Sequence, residues 1–393
     1  MFLSSTVAGL PLLSRYREEL GAVRHRMPLI LVTHVLPTAV PFIRALARDF
    51  DLKAVVAIPY SYVESARAEV ADVPVVVPED AAGVERALLD LVLLQDRMGL
   101  PFVVQEIGGY LAPALVAGHR FENLIGVVED TRQGHWRYRD IAESLPVPVL
   151  SVAESPLKAL EHHQIGRAIV YSLERQLRQH FYRSLSGESV AVIGFGDIGS
   201  AAARALRGRD AHVVVHDVDP LRQASAWLQG FRVAGMEEAV RTSNLILGCS
   251  GYRSLNADIL SCAPDGAVFA SGSSKQVEID VSFFFGPDGE LSSRDELSIC
   301  HCEGRRYFLL NAGKPINFLD GSAIGSTLDL VYTELYACTV ALATRRITTP
   351  GLLGLSGDER RALAVMWLDE YAHAHRPGLV ESSDAGARNV ISA

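Results

Sequence analysis

The chain has 393 residues, 49% of them hydrophobic and 21% charged, with a formal net charge of −9. That length exceeds one ordinary domain and can bury a large core, the acidic balance excludes a basic nucleic-acid surface, and Asp90 and Gln95 break the most apolar stretch before it reaches the length of a membrane span. Cys249, Cys262, Cys300, Cys302 and Cys338 are odd in number and thinly spread, and Met1 to Leu13 lacks a positively charged start, so a reducing cytoplasm without a secretory leader is expected.

In the first half, β-rich runs alternate with helical patterns. Strands are predicted over Leu29–Thr33, Lys53–Ile58, Val73–Val77, Pro101–Gln105, Leu124–Val128 and Val147–Ser151, and helices over Ala39–Asp49 and Ala81–Met98. Several strands lack polar alternation, as parallel strands buried on both faces do. One long helix is predicted from Ser155 to Leu185, ending at the turn Ser-Gly-Glu-Ser, the clearest boundary in the chain. A second α/β run follows: strand Val190–Ile193, helix Ile198–Arg207 and strands His212–His216, Leu245–Leu247 and Ala267–Ala270. A hairpin is expected from Leu297–Cys302 and Tyr307–Asn311, turning at Glu303-Gly304. Helices over Asp329–Arg345 and Gly357–Ala374 are expected to pack back on the first unit, and the polar tail from Arg376 to be disordered. The fold class is therefore α/β, with two Rossmann-like doubly wound domains.

The strongest local signal is Val190-Ala-Val-Ile-Gly194-Phe-Gly196-Asp197-Ile198-Gly199, an apolar strand running through three glycines into a helix. Gly194 allows the tight turn, Gly196 a close backbone approach to a pyrophosphate, and Gly199 close helix–strand packing. The free N–H groups and partial positive charge of the helix N-terminus complete an anion site. The next strand ends at Asp217, where an acid can bind both ribose hydroxyls and repel a 2′-phosphate, which favours NAD over NADP.

Ser155-Pro-Leu-Lys158-Ala-Leu-Glu-His162-His163 opens the long helix, with Ser155 as N-cap and Pro156 at N1. Lys158 and His162, four apart, share a face. Partly desolvated beside a nicotinamide cation, Lys158 would have a lowered pKa and could act as a base toward a hydroxyl; spacing alone favours the plainer reading, that all three side chains are solvated helix residues. His34 sits at the end of a buried strand, where active-site groups of α/β sheets gather. In Cys300-His301-Cys302, strand alternation puts the sulfurs and the imidazole on opposite faces, so no metal site is expected.

From His34 to about Leu368 the chain resembles S-adenosylhomocysteine hydrolase. The matching pieces are colinear: Thr38-Ala39-Val40 after His34; Gly108-Gly109; the loop Glu129-Asp130-Thr131-Arg132-Gln133-Gly134; Val152-Ala-Glu-Ser155-Pro-Leu-Lys158; Asp217-Val-Asp-Pro220 after the glycine loop; Glu278-Ile-Asp-Val281; and Pro315-Ile-Asn317-Phe318. The resemblance implies a substrate domain from both chain ends, residues 1–165 and 325–393, around an inserted NAD-binding domain, residues 166–324. It implies an enzyme that oxidises the ribose 3′-hydroxyl with tightly held NAD, eliminates the 5′ thioether, adds water and reduces the ketone. Lys158 would be the base at the 3′-hydroxyl and His34 an acid/base group at the 5′ side, with Asp130, His162 and His163 completing the catalytic set. Gly194, Gly196, Asp197, Ile198, Gly199, Asp217 (adenosine ribose), Thr131 (nicotinamide ribose), Ser250 and Asn317 (nicotinamide amide) would hold the cofactor.

The departures fall on the substrate side. His162 and His163 replace an Asp and an Asn, Ser274 stands where the family has a histidine, and another histidine is missing near Gly321-Ser322. Gln105, Glu106 and Ile107 replace aspartates, and Val35 and Pro37 replace polar residues that bind adenine. The expectation is thus an NAD-dependent, adenosylhomocysteinase-like enzyme, cytoplasmic and homo-oligomeric, acting on a nucleoside- or sugar-like small molecule other than S-adenosylhomocysteine, with no nucleic acid, membrane or metal partner. The alternatives are a genuine S-adenosylhomocysteine hydrolase and a non-catalytic NAD-binding sensor or scaffold. A simple 2-hydroxyacid dehydrogenase leaves the Lys158 region and Pro315–Phe318 without a purpose.

Overall fold

The computed structural model describes residues 9–20, 26–273, 275–285, 293–294, 296–302, 304–322 and 325–373. Six strands form in the first half: β1 (Pro28–Val35), β2 (Asp51–Tyr62), β3 (Val75–Val76), β4 (Phe102–Glu106), β5 (Leu124–Glu129) and β6 (Pro148–Ser151). Eight follow the long helical segment: β7 (Ser189–Ile193), β8 (His212–His216), β9 (Arg232–Val233), β10 (Leu245–Gly248), β11 (Ala267–Ser271), β12 (Ser293–Arg294), β13 (Leu297–Cys302) and β14 (Arg305–Leu310). The last is β15 (Gly351–Leu353).

They make two sheets. One runs β15-β6-β5-β4-β1-β2-β3, the other β12-β13-β14-β11-β10-β7-β8-β9. Every pairing in the first is parallel. The second is parallel except for the hairpin at its edge, where β13 pairs antiparallel with β12 and β14. Each sheet has an apolar cluster on both faces, which is why its central strands read as uninterrupted Val, Ile and Leu. Both are α/β sheets of the expected kind.

β15 is an addition that the sequence did not signal. Three residues with a glycine and two leucines carry no period, yet they pair in register with Pro148, Val149 and Leu150 and bring the C-terminal part of the chain into the first sheet. Helix Ser326–Ala343 lies across the same unit, and all fifteen of its residues from Asp329 to Ala343 are buried. A helix enclosed on every side needs no amphipathic stripe. The helix Pro11–Glu19 at the other end of the chain is tied to it by Asp329, whose carboxylate accepts the N–H groups of Leu12 (2.8 Å) and Leu13 (3.1 Å) and the hydroxyl of Tyr371 (2.7 Å).

The single helix expected from Ser155 to Leu185 is two. Pro156–Ala159 and Glu161–Phe181 meet at Leu160, and Tyr182 ends the second in the left-handed region at φ 53°. The second leans on helix Asp197–Arg207 so closely that a Cβ on Gly166 would lie 2.5 Å from the Cβ of Ala201. The expected hairpin strand Tyr307–Asn311 begins two residues earlier and stops at Leu310, because Asn311 turns to a positive φ of 49°. The helix after Gly357 stops at Leu368 and continues as a wider turn over Asp369–His373. Ser274 and the tail from Arg376 lie outside the described residues. Among the described residues, no helix is long and apolar enough to cross a membrane.

Asp329 offers a test of this closure. Asp329→Ala leaves three donors without their acceptor in a buried place, and each such donor costs about 1–3 kcal/mol. Urea denaturation is expected to show a loss of at least about 2 kcal/mol. A midpoint unchanged from wild type would mean that the two chain ends are not joined in this way.

Candidate active site

A cavity of about 210 Å³ lies between the C-terminal edges of the two sheets. From the first unit it is lined by His34, Gln105, Asp130, Thr131, Arg132, Phe42 and Tyr332; from the connecting helices by Lys158, Glu161, His162 and Ile165; from the second unit by Asp197, Ile198, Ser273, Asn317 and Phe318. Parallel sheets open their ligand crevice at this edge, so short loops after β1, β4, β5, β6, β7 and β11 converge on one space.

At its centre is Lys158. Its ammonium lies 2.9 Å from Asp130 Oδ1 and 2.5 Å from Glu161 Oε2, with all three side chains largely withdrawn from solvent. Burial disfavours the ammonium most strongly, but the two carboxylates outweigh it and hold Lys158 above its ordinary value. This corrects the expectation of a lowered pKa: a lysine with one cationic neighbour loses its proton more easily, whereas one between two anions keeps it. Burial in turn raises Glu161, opposed by the lysine. Glu161 was not singled out from the sequence, although its i,i+3 spacing from Lys158 is the spacing of helical neighbours.

Asp130 is placed by a staple beneath it. The buried Glu129 accepts the N–H groups of Gly108 and Gly109, both at 2.9 Å, and the N–H and hydroxyl of Thr131 at 2.6 and 2.7 Å. Thr131 is occupied as the N-cap of helix Arg132–Arg139, accepting from Gly134 N–H. A Cβ on Gly134 would fall 2.1 Å from the Glu129 carboxyl carbon, so only glycine fits there. Glu106, beside Glu129, accepts the Tyr138 hydroxyl and Tyr110 N–H. Burial raises the pKa of both glutamates, and their mutual repulsion raises that of Glu129 further. A second staple serves the other unit: buried Glu278 accepts from Ser250 N–H (3.0 Å) and Oγ (2.6 Å), Gly251 N–H (2.9 Å) and Ser254 Oγ (2.5 Å).

His34, at the end of β1, bonds to Ser61 Oγ and packs on Phe318 with ring centroids 4.6 Å apart. Burial lowers its pKa to about 4, Asp130 and Lys158 adding smaller opposed effects, so the imidazole is neutral at pH 7. His162 Nδ1 lies 3.5 Å from Asp197 Oδ2, and burial lowers its pKa despite that carboxylate. His163 is exposed and is not among the residues lining the cavity, which corrects its place in the catalytic set: one residue along a helix turns the side chain about 100° away from His162. Val35 is buried in the core of the first unit and Pro37 is exposed; Leu36 and Thr38 line the cavity between them.

In the glycine loop, Gly194 has φ +99°, and a Cβ there would meet Cys249 and Ser250 backbone at 2.8 Å. A Cβ on Gly199 would lie 1.9 Å from Gly194 O. Around Gly196, by contrast, the nearest atom to a Cβ is an Arg222 guanidinium nitrogen at 3.6 Å, leaving a backbone face open to a phosphate. Asp217 accepts Phe195 N–H (2.6 Å) and Asp219 N–H (2.9 Å), so it shapes the loop as well as facing it. Ser250 has its hydroxyl committed to Glu278. Asn317 donates to Ser322 Oγ at 2.9 Å, and its buried Oδ1 has no partner. An unpaired amide oxygen in a cavity wall asks for an N–H donor such as a carboxamide; with the open Gly196 face, the donor set fits NAD. Cys300 is buried and bonds to Phe283 O, and His301 is exposed.

Residues 168–322 match the family model described as S-adenosyl-L-homocysteine hydrolase, NAD binding domain. Over these residues the chain is similar to that family. An adenosylhomocysteinase of Thermotoga maritima is 30% identical over 260 residues, covering 63% of each chain. An S-inosyl-L-homocysteine hydrolase of Methanopyrus kandleri is 26% identical over 63% of this chain and 60% of its own. The matched stretch thus spans less than two thirds of the length of either relative. Among solved structures, a phosphoglycerate oxidoreductase of Vibrio cholerae aligns over 81% of this chain and 99% of its own, at 12% identity and a TM-score of 0.48. The matched model is that of an NAD-binding domain, which gives NAD as the cofactor of the second unit.

The pKa of His34 yields a test. Its folded value, about 4, is below the ordinary 6.5, so the unfolded chain binds more protons between these values. The contribution of a neutral His34 is whole above pH 6.5 and is lost as pH falls toward 4, by up to about 3 kcal/mol. Stability measured across this window should fall less steeply in His34→Gln than in wild type. Parallel pH profiles would show His34 titrating normally.

Proposed function

We propose that this chain is an NAD-dependent enzyme that removes a hydride from a secondary hydroxyl of a nucleoside- or sugar-like small molecule. The observation that carries the reading is the Lys158 ammonium held between Asp130 and Glu161 in the wall of a cavity that the cofactor-binding unit also lines. We assign residues 1–165 and 325–393 to a substrate domain and 166–324 to the NAD domain, and place the enzyme in a reducing cytoplasm, in keeping with the free Cys249, Cys262 and Cys338.

NAD, when bound, supplies the hydride acceptor. The protein's own part is to take the hydroxyl proton. Lys158 cannot accept it while protonated, so it first passes a proton from Nζ to Glu161 Oε2, 2.5 Å away, whose affinity for a proton burial has raised. The free amine then takes the substrate's proton, and charge is conserved within the trio. Asp130 holds Nζ in place through both states. Neutral His34, lining the same cavity, can accept or donate a proton at a neighbouring substrate atom through the nitrogen not bonded to Ser61.

The substrate differs from S-adenosylhomocysteine in this reading. Val35 and Pro37, which stand where the family resemblance has polar residues that bind adenine, are not among the residues lining the cavity, and a purine nitrogen left unpaired there forfeits about 1–3 kcal/mol per group. His162 occupies the hinge-helix position that carries a carboxylate in the family resemblance, while Glu161 beside it holds the lysine, so the proton path is rearranged.

Mass spectrometry of ligands released from the purified protein, followed by absorbance of the reduced nicotinamide on adding the released compound or a panel of nucleosides, tests the reading. Lys158→Ala should keep NAD and slow reduction about 10²- to 10⁴-fold. Thiol titration with S-adenosylhomocysteine should show no turnover at the rate of an ordinary hydrolase. Stoichiometric NAD with no reduction by any nucleoside, in wild type and mutant alike, would instead make the chain a cofactor-binding sensor.

A further inference from the structure

Arg132 lies at the N-terminus of helix Arg132–Arg139 in the first unit, yet its guanidinium reaches across the cavity to Asp197 Oδ2 at 2.8 Å. Asp197 is the first residue of the helix that follows the glycine loop. Around this contact the same helix of the first unit is fixed to the second: Gln133 Nε2 donates to Gly251 O at 3.2 Å, and Trp136 stacks on Tyr252 at 10° with centroids 5.6 Å apart. Arg132 is therefore carried to the glycine loop by a seam.

We propose that Arg132 is a cofactor-binding residue, supplied to the NAD pyrophosphate by the substrate domain. The inference rests on the NAD reading of the site. The electrostatics call for such a residue. In that helix the first bond among the described contacts runs from Ser200 N–H to Gly196 O, so the amides of Asp197, Ile198 and Gly199 are the orphan donors on which a pyrophosphate settles. The Asp197 carboxylate suits the helix dipole while that place is free. Once two phosphate charges arrive beside it, it repels them. A cation that pairs with Asp197 through one edge keeps further N–H donors for a phosphate oxygen, and a guanidinium has five. The other nearby guanidinium, Arg222, is turned toward Asp217 and Asp219, each at 3.8 Å. The partnerless Asn317 Oδ1 in the same cavity marks the far end of the ligand. His162 Nδ1, 3.5 Å from the same Asp197 oxygen, is held neutral by burial and adds little charge.

The arrangement makes cofactor affinity depend on the approach of the two domains, since Arg132 belongs to one and the orphan amides to the other. It also separates a phosphate clamp from a mere ion-pair latch. Half-exposed ion pairs contribute little to stability, so the variants should fold. NAD is titrated calorimetrically into the full chain stripped of cofactor, for wild type, Arg132→Ala, Arg132→Lys, Asp197→Asn and the double variant Arg132→Ala/Asp197→Asn. Arg132→Ala should weaken NAD roughly tenfold or more and flatten the dependence of affinity on salt. Asp197→Asn, which keeps the backbone amide and removes the carboxylate, should lose clearly less affinity than Arg132→Ala, the double variant should recover part of the Arg132→Ala loss, and Arg132→Lys should fall between wild type and Arg132→Ala. An Arg132→Ala affinity equal to wild type overturns the proposal, as does an equal weakening by Arg132→Ala and Asp197→Asn, which is the signature of a latch. A wild-type chain that takes up no NAD overturns the cofactor reading itself, and this inference with it.

Discussion

A buried ammonium needs countercharge, and much of the site follows from supplying it to Lys158. Removing one charge from water costs several kcal/mol unless partners replace the hydration. Asp130 and Glu161 replace it, one from the loop after β5 and one from the next turn of the same helical segment. The break at Leu160 falls between Lys158 and Glu161, and the two remain within 2.5 Å. The trio therefore joins the first sheet to the helix that carries the chain into the second, and any motion of one against the other is felt at Nζ.

The same logic recurs one layer down. Glu129 and Glu278 are both fully buried carboxylates whose oxygens are filled by backbone N–H and hydroxyl donors from a loop at a sheet edge. Neither is aimed at a ligand. Each gathers a loop whose amides would otherwise lack acceptors, and each forbids a side chain at a neighbouring glycine: a Cβ at Gly134 or Gly248 would sit 2.1 or 2.2 Å from its glutamate. The acidic residues that look catalytic in the motifs are in this way divided. Glu129 and Glu278 hold loops, and Asp130 and Glu161 face the cavity and Lys158. Across the gap between the staples, Lys275 donates to Gly108 O at 3.1 Å and lies over the Tyr110 ring, adding a further tie between the two units.

The two halves of the cavity differ in what they ask of a ligand. On the cofactor side there are orphan amides, an open Gly196 face and an unpaired amide oxygen, a set of specific polar requirements. On the other side stand Leu36, Phe42, Val331 and Leu335 with a neutral His34, and Thr33, Thr38 and Gln105 are the polar groups among them.

Local signals were sufficient wherever the physics was local. The glycine loop, the strand before it, the N-cap Ser155 and the uninterrupted apolar strands of both sheets could be read from spacing and residue type, because turn geometry, capping and two-sided burial act within a few residues. His34 and Lys158 could be named as candidates, since strand ends and helix starts at one sheet edge converge. What the sequence could not supply was anything that depends on a partner distant in the chain. β15 exists only because β6 offers it an edge, and the all-buried helix Ser326–Ala343 carries no stripe to reveal its burial. The sign of the Lys158 shift changed once Asp130, twenty-eight positions away in sequence, was brought to 2.9 Å. His162 and His163 are equivalent in the sequence and opposite in the structure, because which side of a helix meets a cavity is decided by the helices and sheets packed around it.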